Sequence, residues 1–222
     1  MALAPWVPFG TYLSASSSGS TVATKATNIV LDNNSSNGNA AGKTVNVNDL
    51  DLFPPNTTWT MTYPSSGDPS IDGQNPNTFV KFALIRLPKE LGGDQANASA
   101  FVAFSKVCVH LWCSPNYNPT QSSSSTENGY VSGAATHELY ECPCHGSGYS
   151  VGVGGNPVGK ALIGPAAQQP APTNAIPLLT LATDSAGNLQ VVPPIWDVDH
   201  NGVVGYGRNL GTGAFSGGYS PK

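Results

Sequence analysis

The sequence predicts an all-β protein, and three observations lead there. First, Gly (25) and Pro (19) are abundant among the 222 residues, and Ser, Thr and Asn are plentiful too. That mixture favours short strands joined by many turns. Second, the runs TFVKFALIRLP (78–88) and SAFVAFSKVCV (99–109) combine β-branched and aromatic residues over about the length of a strand. Third, no segment carries a convincing amphipathic helical period.

The remaining elements follow in chain order. Residues 14–50 are polar and hold short apolar runs, TNIVL and KTVNVNDL, which read as hairpins with long turns. FPPNTTWTMTY (53–63) opens on two prolines and then alternates as an edge strand does. After the two strong strands comes a long polar loop at 114–136, with a serine run at 122–125 that reads as a solvated linker. HELYECPCHGSGYSV follows, then a Gly-rich turn at 152–172. IPLLTLATDSAGNLQVVP (176–193) reads as a hairpin with DSAGN at its tip. The tail from 194 is Gly-rich. Its Asp197, Asp199, Asn201 and Gly202 are spaced like the start of a calcium loop, but Arg208 stands where a bidentate Glu is needed, so a turn is the better reading.

The length allows one good-sized core, or one domain carrying an insertion. Charged residues make up 10% of the chain, against roughly a quarter in an average soluble domain. Such sparse charge suits acidic surroundings, where carboxylates lose their pairings on protonation. The net charge is −4 and there is no basic patch, which speaks against nucleic acid as a partner. No apolar run is long enough to cross a membrane, and MALAPWVPFG is a poor signal peptide. Sequons at Asn33, Asn34, Asn56 and Asn97 fit an extracytoplasmic surface, although a chain this rich in Asn, Ser and Thr forms such triplets by chance.

Chemistry concentrates in two short stretches, CVHLWC (108–113) and CPCHGS (142–147). They hold all four cysteines, Cys108, Cys113, Cys142 and Cys144, and two of the four histidines, His110 and His145. Six soft or borderline metal ligands gathered this way point to a metal centre. Structural zinc is one reading, although zinc motifs usually keep two to four residues between paired ligands and Cys108 and His110 have one. Two plain disulfides leave the histidines unexplained. A bare Cys–His nucleophile has no need of four cysteines. His137 and His200 lack the spacing and read as surface histidines. Trp6, Trp59 and Trp196 read as packing residues, while Trp112 lies inside the first stretch and is placed to face a partner.

The pattern Cys-x-His-x-x-Cys, a gap, then Cys-x-Cys-His-Gly-Ser resembles the Rieske iron–sulfur family, in its high-potential, quinol-oxidising form. That resemblance implies that Cys108 and Cys142 ligate the inner iron of one [2Fe–2S] cluster and His110 and His145 the outer iron. It also implies a Cys113–Cys144 disulfide between the two cluster loops. Ser147 and Tyr149 match the family's hydrogen-bond donors to cluster sulfurs. Pro165, in GPAA, matches the proline of a third loop that covers the cluster, and Leu111 a leucine that shields it. Two positions depart from the family: Trp112 replaces a small residue, often glycine, and the gap between the stretches is long. The fold so implied is a β base, residues 1–104 and 168–222, with a cluster-binding unit inserted at 105–167.

Function follows from the same resemblance. Replacing two thiolates by neutral imidazoles makes the reduced state less costly and raises the potential, in this class to between about −150 and +300 mV. The expected role is the extramembrane part of a Rieske subunit in a respiratory complex on the extracytoplasmic face of the plasma membrane, with an anchor preceding it. It would take an electron from a membrane quinol, with His145 or His110 accepting the proton, and pass it to a cytochrome b- or c-type haem. It is an electron carrier within an oxidoreductase and not a stand-alone catalyst. The alternatives are the small subunit of an arsenite-oxidase-like molybdenum enzyme and a Rieske ferredoxin.

Overall fold

The computed structural model describes residues 25–119, 139–152, 155–170 and 174–196. The calcium-like spacing after Asp197, the serine run, Trp6, His137 and His200 lie outside these residues.

Three antiparallel sheets account for the fold. The first joins β1 (Thr27–Asn28), β10 (Leu189–Trp196) and β9 (Leu179–Thr183), with β10 in the middle. The second places β3 (Lys81–Arg86) between β2 (Thr57–Thr62) and β4 (Phe101–Ser105). The third runs in chain order through β5 (Asn116–Asn118), β6 (Leu139–Glu141), β7 (Gly148–Ser150) and β8 (Ala161–Ile163). The only α-helical segments among the described residues are short, at Pro69–Gln74 and Gly164–Ala167. The chain is therefore all-β.

Side-chain alternation on the second sheet explains how the layers stack. In β3, Phe82 and Leu84 face one core and Ala83 and Ile85 the other. In β4, Phe101 and Ala103 join the first core and Val102 and Phe104 the second. Period-two alternation sends neighbours to opposite faces, so an apolar run reads as a strand covered on both sides. The first core collects Ile29, Val45, Phe53, Trp59 and Val191. The second collects Tyr117, Tyr140 and Tyr149 from the third sheet, together with Cys108 and Cys142. Phe104 stacks on Tyr140 at 5.1 Å between ring centroids, and the Tyr140 hydroxyl donates to the Ser105 carbonyl at 3.2 Å.

Central β3 also buries two cations. Lys81 Nζ meets Asp32 Oδ2 at 2.6 Å and Thr62 Oγ1 at 2.8 Å, and it also donates to the Asp72 carbonyl. Among the described residues, Arg86 has no carboxylate in hydrogen-bond reach. It donates to the carbonyls of Gly93, Phe53, Val47 and Gln95, and its guanidinium lies 4.9 Å from the Phe101 ring centre. Burial lowers the Arg86 pKa, and Asp94 and Asp49 act against that shift.

The sequence-based reading differs from the structure in three places. The stretch 152–172, read as a turn, contains β8, and the polar loop from 114 contains β5. Both strands have three residues, too few to show a period, and they exist because β7 and β6 pair with them. The last strand reaches Trp196, past Pro193 and Pro194, and its register with β9 shifts between Val191 and Trp196. Proline has no N–H for the ladder, which accounts for the irregularity. The 176–193 hairpin is present with Gly187 (φ +82) in its turn, where Asp184 Oδ1 accepts from the Ala186 and Asn188 amides.

Replacing Lys81 with Met leaves the Asp32 carboxylate, 0% exposed, without its cation. The expected cost in urea unfolding is about 3–5 kcal/mol. A variant as stable as the parent would contradict this account of β3.

Candidate metal centre

Two loops with one hydrogen-bond scheme build the site. In the first, the Cys108 amide donates to the Cys113 carbonyl at 2.8 Å and the Trp112 amide to the Cys108 carbonyl at 3.0 Å. In the second, the Cys142 amide donates to the Ser147 carbonyl at 2.8 Å and the Gly146 amide to the Cys142 carbonyl at 3.0 Å. The fifth residue of each loop is left-handed, Trp112 at φ +67 and Gly146 at φ +69. The first loop leaves β4 and the second joins β6 to β7, so each starts from a strand packed into the second core.

The disulfide Cys113–Cys144 joins the loops, with Cα atoms 6.4 Å apart. Closing a loop of separation 31 stabilises the fold by roughly 3–4 kcal/mol in the chain-entropy view. Cys142 Sγ lies within 4.8 Å of both bridged sulfurs. Those two sulfurs are bonded to each other, so Cys108 and Cys142 are the thiols left to bind a metal.

Burial sorts the donors. Cys108 and Cys142 are 1% and 2% exposed, whereas His110 is half-buried and His145 exposed. The imidazole rings approach edge to face with centroids 4.9 Å apart. The two cysteine side chains are close enough to influence each other's ionisation. Burial pushes the Cys142 thiol up to about 11, opposed by the nearby Cys144 and His145 amides. The neighbouring Cys108 thiol raises it further. A thiol this reluctant to ionise in an apolar pocket, yet provided with N–H donors for its thiolate, suits a metal cation. The set of two buried sulfurs and two outward imidazoles fits a cluster whose irons have unlike ligands.

Tyr149 is fully buried beside this set. Its hydroxyl is 3.1 Å from Cys108 Sγ and accepts from the Val109 amide at 3.2 Å. Burial raises the Tyr149 pKa strongly, and the adjacent Cys108 adds to the shift. The phenol keeps its proton and directs it at the sulfur once that sulfur is a thiolate. Ser147, 0% exposed, accepts the Ala166 amide at 3.1 Å, which leaves its own proton to donate. The same bond draws in the third loop, where Pro165 is half-buried in the turn Gly164–Ala167. A Cβ on Gly164 (φ +71) would lie 2.5 Å from the Gly146 carbonyl oxygen, so only glycine permits this approach. Leu111 is 63% exposed at the tip of the first loop.

The structure thus brings Cys108, His110, Cys142, His145, Ser147 and Tyr149 together, with Pro165 close by. Sequence reasoning passed over two participants. Tyr140 lies beneath the pair of thiols, and its pKa is raised by burial and then by Cys108 and Cys142. It stands two residues before Cys142, which was the available signal. Gln169 Nε2 reaches the Val109 carbonyl at 3.5 Å, with its Oε1 buried and lacking a hydrogen-bond partner among the described residues. Nothing in the sequence marked it.

No protein-family model matches the chain, and no curated protein matches it. Among solved structures, it is similar to the soluble domain of the Rieske protein II (soxF) from Sulfolobus acidocaldarius, at 24% identity and a TM-score of 0.32. The match covers 61% of this chain and 66% of that one, so the chain spans less than two thirds of that protein's length. At that level of superposition, the reading of the site rests on its own geometry.

Proposed function

We propose that this chain is a Rieske-type electron carrier, with Cys108 and Cys142 holding one iron of a [2Fe–2S] cluster and His110 and His145 the other. One observation carries the reading: two buried thiols and two less buried, mutually packed imidazoles share a pair of loops joined by the Cys113–Cys144 disulfide. When bound, such a cluster supplies a one-electron couple at a potential higher than that of all-cysteine centres.

The chain's own groups set the conditions for that couple. The Tyr149 hydroxyl would withdraw electron density from Cys108 Sγ, and Ser147 has a proton to give on the side of the third loop. Both favour the reduced state. Val109, Tyr140 and Tyr149 exclude water from the sulfur side, where the field of each hydrogen bond is less screened. On the opposite side His110 and His145 meet solvent, and each would offer its free ring nitrogen to a hydroxyl donor. A membrane quinol is such a donor, because its oxidation releases a proton with each electron. The onward acceptor would be a cytochrome b- or c-type haem, and the site of action the extracytoplasmic face of the membrane. The disulfide supports that placement, since such bonds persist in oxidising compartments.

Two measurements test this reading. The purified protein should be coloured and, once reduced, give the EPR signal of a [2Fe–2S] centre; a colourless protein holding zinc would contradict it. Ser147→Ala and Tyr149→Phe should each lower the potential by about 60 mV, a tenfold shift for a one-electron couple. Potentials equal to the parent's would remove the hydrogen bonds from the account. In the same titration the potential should fall as pH rises, because reduction raises the proton affinity of a metal-bound imidazole, and a flat response from about pH 5 to about pH 10 would exclude proton coupling.

A further inference from the structure

Trp112 occupies a backbone conformation that glycine holds in the matching loop. Its φ is +67 and that of Gly146 is +69, and both amides close the same hydrogen bond to the opening cysteine. Left-handed φ is strained for a side chain as large as tryptophan, and such strain persists only where the surroundings over-determine it. Trp112 is 48% exposed, so core burial does not supply the compensation. Its ring instead meets Phe79 edge to face, with centroids 5.9 Å apart and planes at 74°. Phe79 sits in the turn Thr78–Val80, where Asn77 Oδ1 holds its amide at 3.1 Å, and that turn runs directly into β3.

The first loop is thus tied on more than one side. Cys113 bonds it to the second loop, and Gln169 touches the Val109 carbonyl from the third. The Trp112 ring reaches the base. We infer that Trp112 is a positioning residue, clamping the 108–113 loop, and His110 with it, onto the central sheet through Phe79. A glycine at this position would relax the backbone and release the loop from the base.

The inference concerns the loop and holds whether or not the metal reading does, because its primary measurement needs no metal. Amide hydrogen exchange is followed across residues 108–113 in the full-length protein as purified, for Trp112→Gly, Phe79→Ala, the double variant and Trp112→Phe. Each single variant should exchange about fivefold faster in this loop, the size expected when one aromatic pair is lost. The double variant should be no faster than either single one, since both remove the same contact. Trp112→Phe, which keeps a ring for Phe79, should restore slow exchange. If iron is present, its loss to a chelator should accelerate in parallel with exchange. Unchanged exchange in both single variants, or additive effects in the double one, overturns the inference. A colourless protein that still shows the exchange pattern overturns only the metal reading.

Discussion

The structure depends most on holding two buried thiols and two less buried imidazoles together in one pair of loops. Thiols do not ionise readily in an apolar pocket, and Cys142 is pushed upward for that reason. On the proposed reading, a metal cation takes up the resulting charge. Donors lie near both sulfurs: the amides of Cys144 and His145 near Cys142, and the Tyr149 phenol 3.1 Å from Cys108 Sγ. Each stabilises a charged sulfur and none would be needed by a neutral one.

Rigidity comes from below and from the side. Strands β3 and β4 of the second sheet are buried on both faces, and the first loop follows β4. Tyr140 stacks on Phe104 and hydrogen-bonds to Ser105, which couples the third sheet to that base. The disulfide and the close approach of Gly164 to Gly146 then fasten three loops to one another. An electron carrier gains from such a frame, because a site that does not rearrange on charging loses little energy to reorganisation.

Much of this was legible in the sequence, for identifiable reasons. The proposed ligands lie within two hexapeptides, so their types and spacing could be read without tertiary information. β3 and β4 were legible because strands covered on both faces read as apolar runs. Lys81 and Arg86 within β3 could not be explained in advance, since Asp32, Val47, Phe53 and Gly93 come from other parts of the chain. The three-residue strands of the third sheet have no local signature at all. Trp112 stood out as a departure from a glycine pattern, but only the left-handed backbone and the Phe79 contact give that departure a physical meaning.

The central claim is the unequal ligation of two irons, sulfur on the buried side and nitrogen toward solvent. The most direct measurement is hyperfine spectroscopy of the reduced protein prepared with ¹⁵N-labelled histidine. The account predicts couplings from two histidine nitrogens that shift with the label. A paramagnetic centre with no histidine coupling, its metal held by sulfur alone, would contradict it.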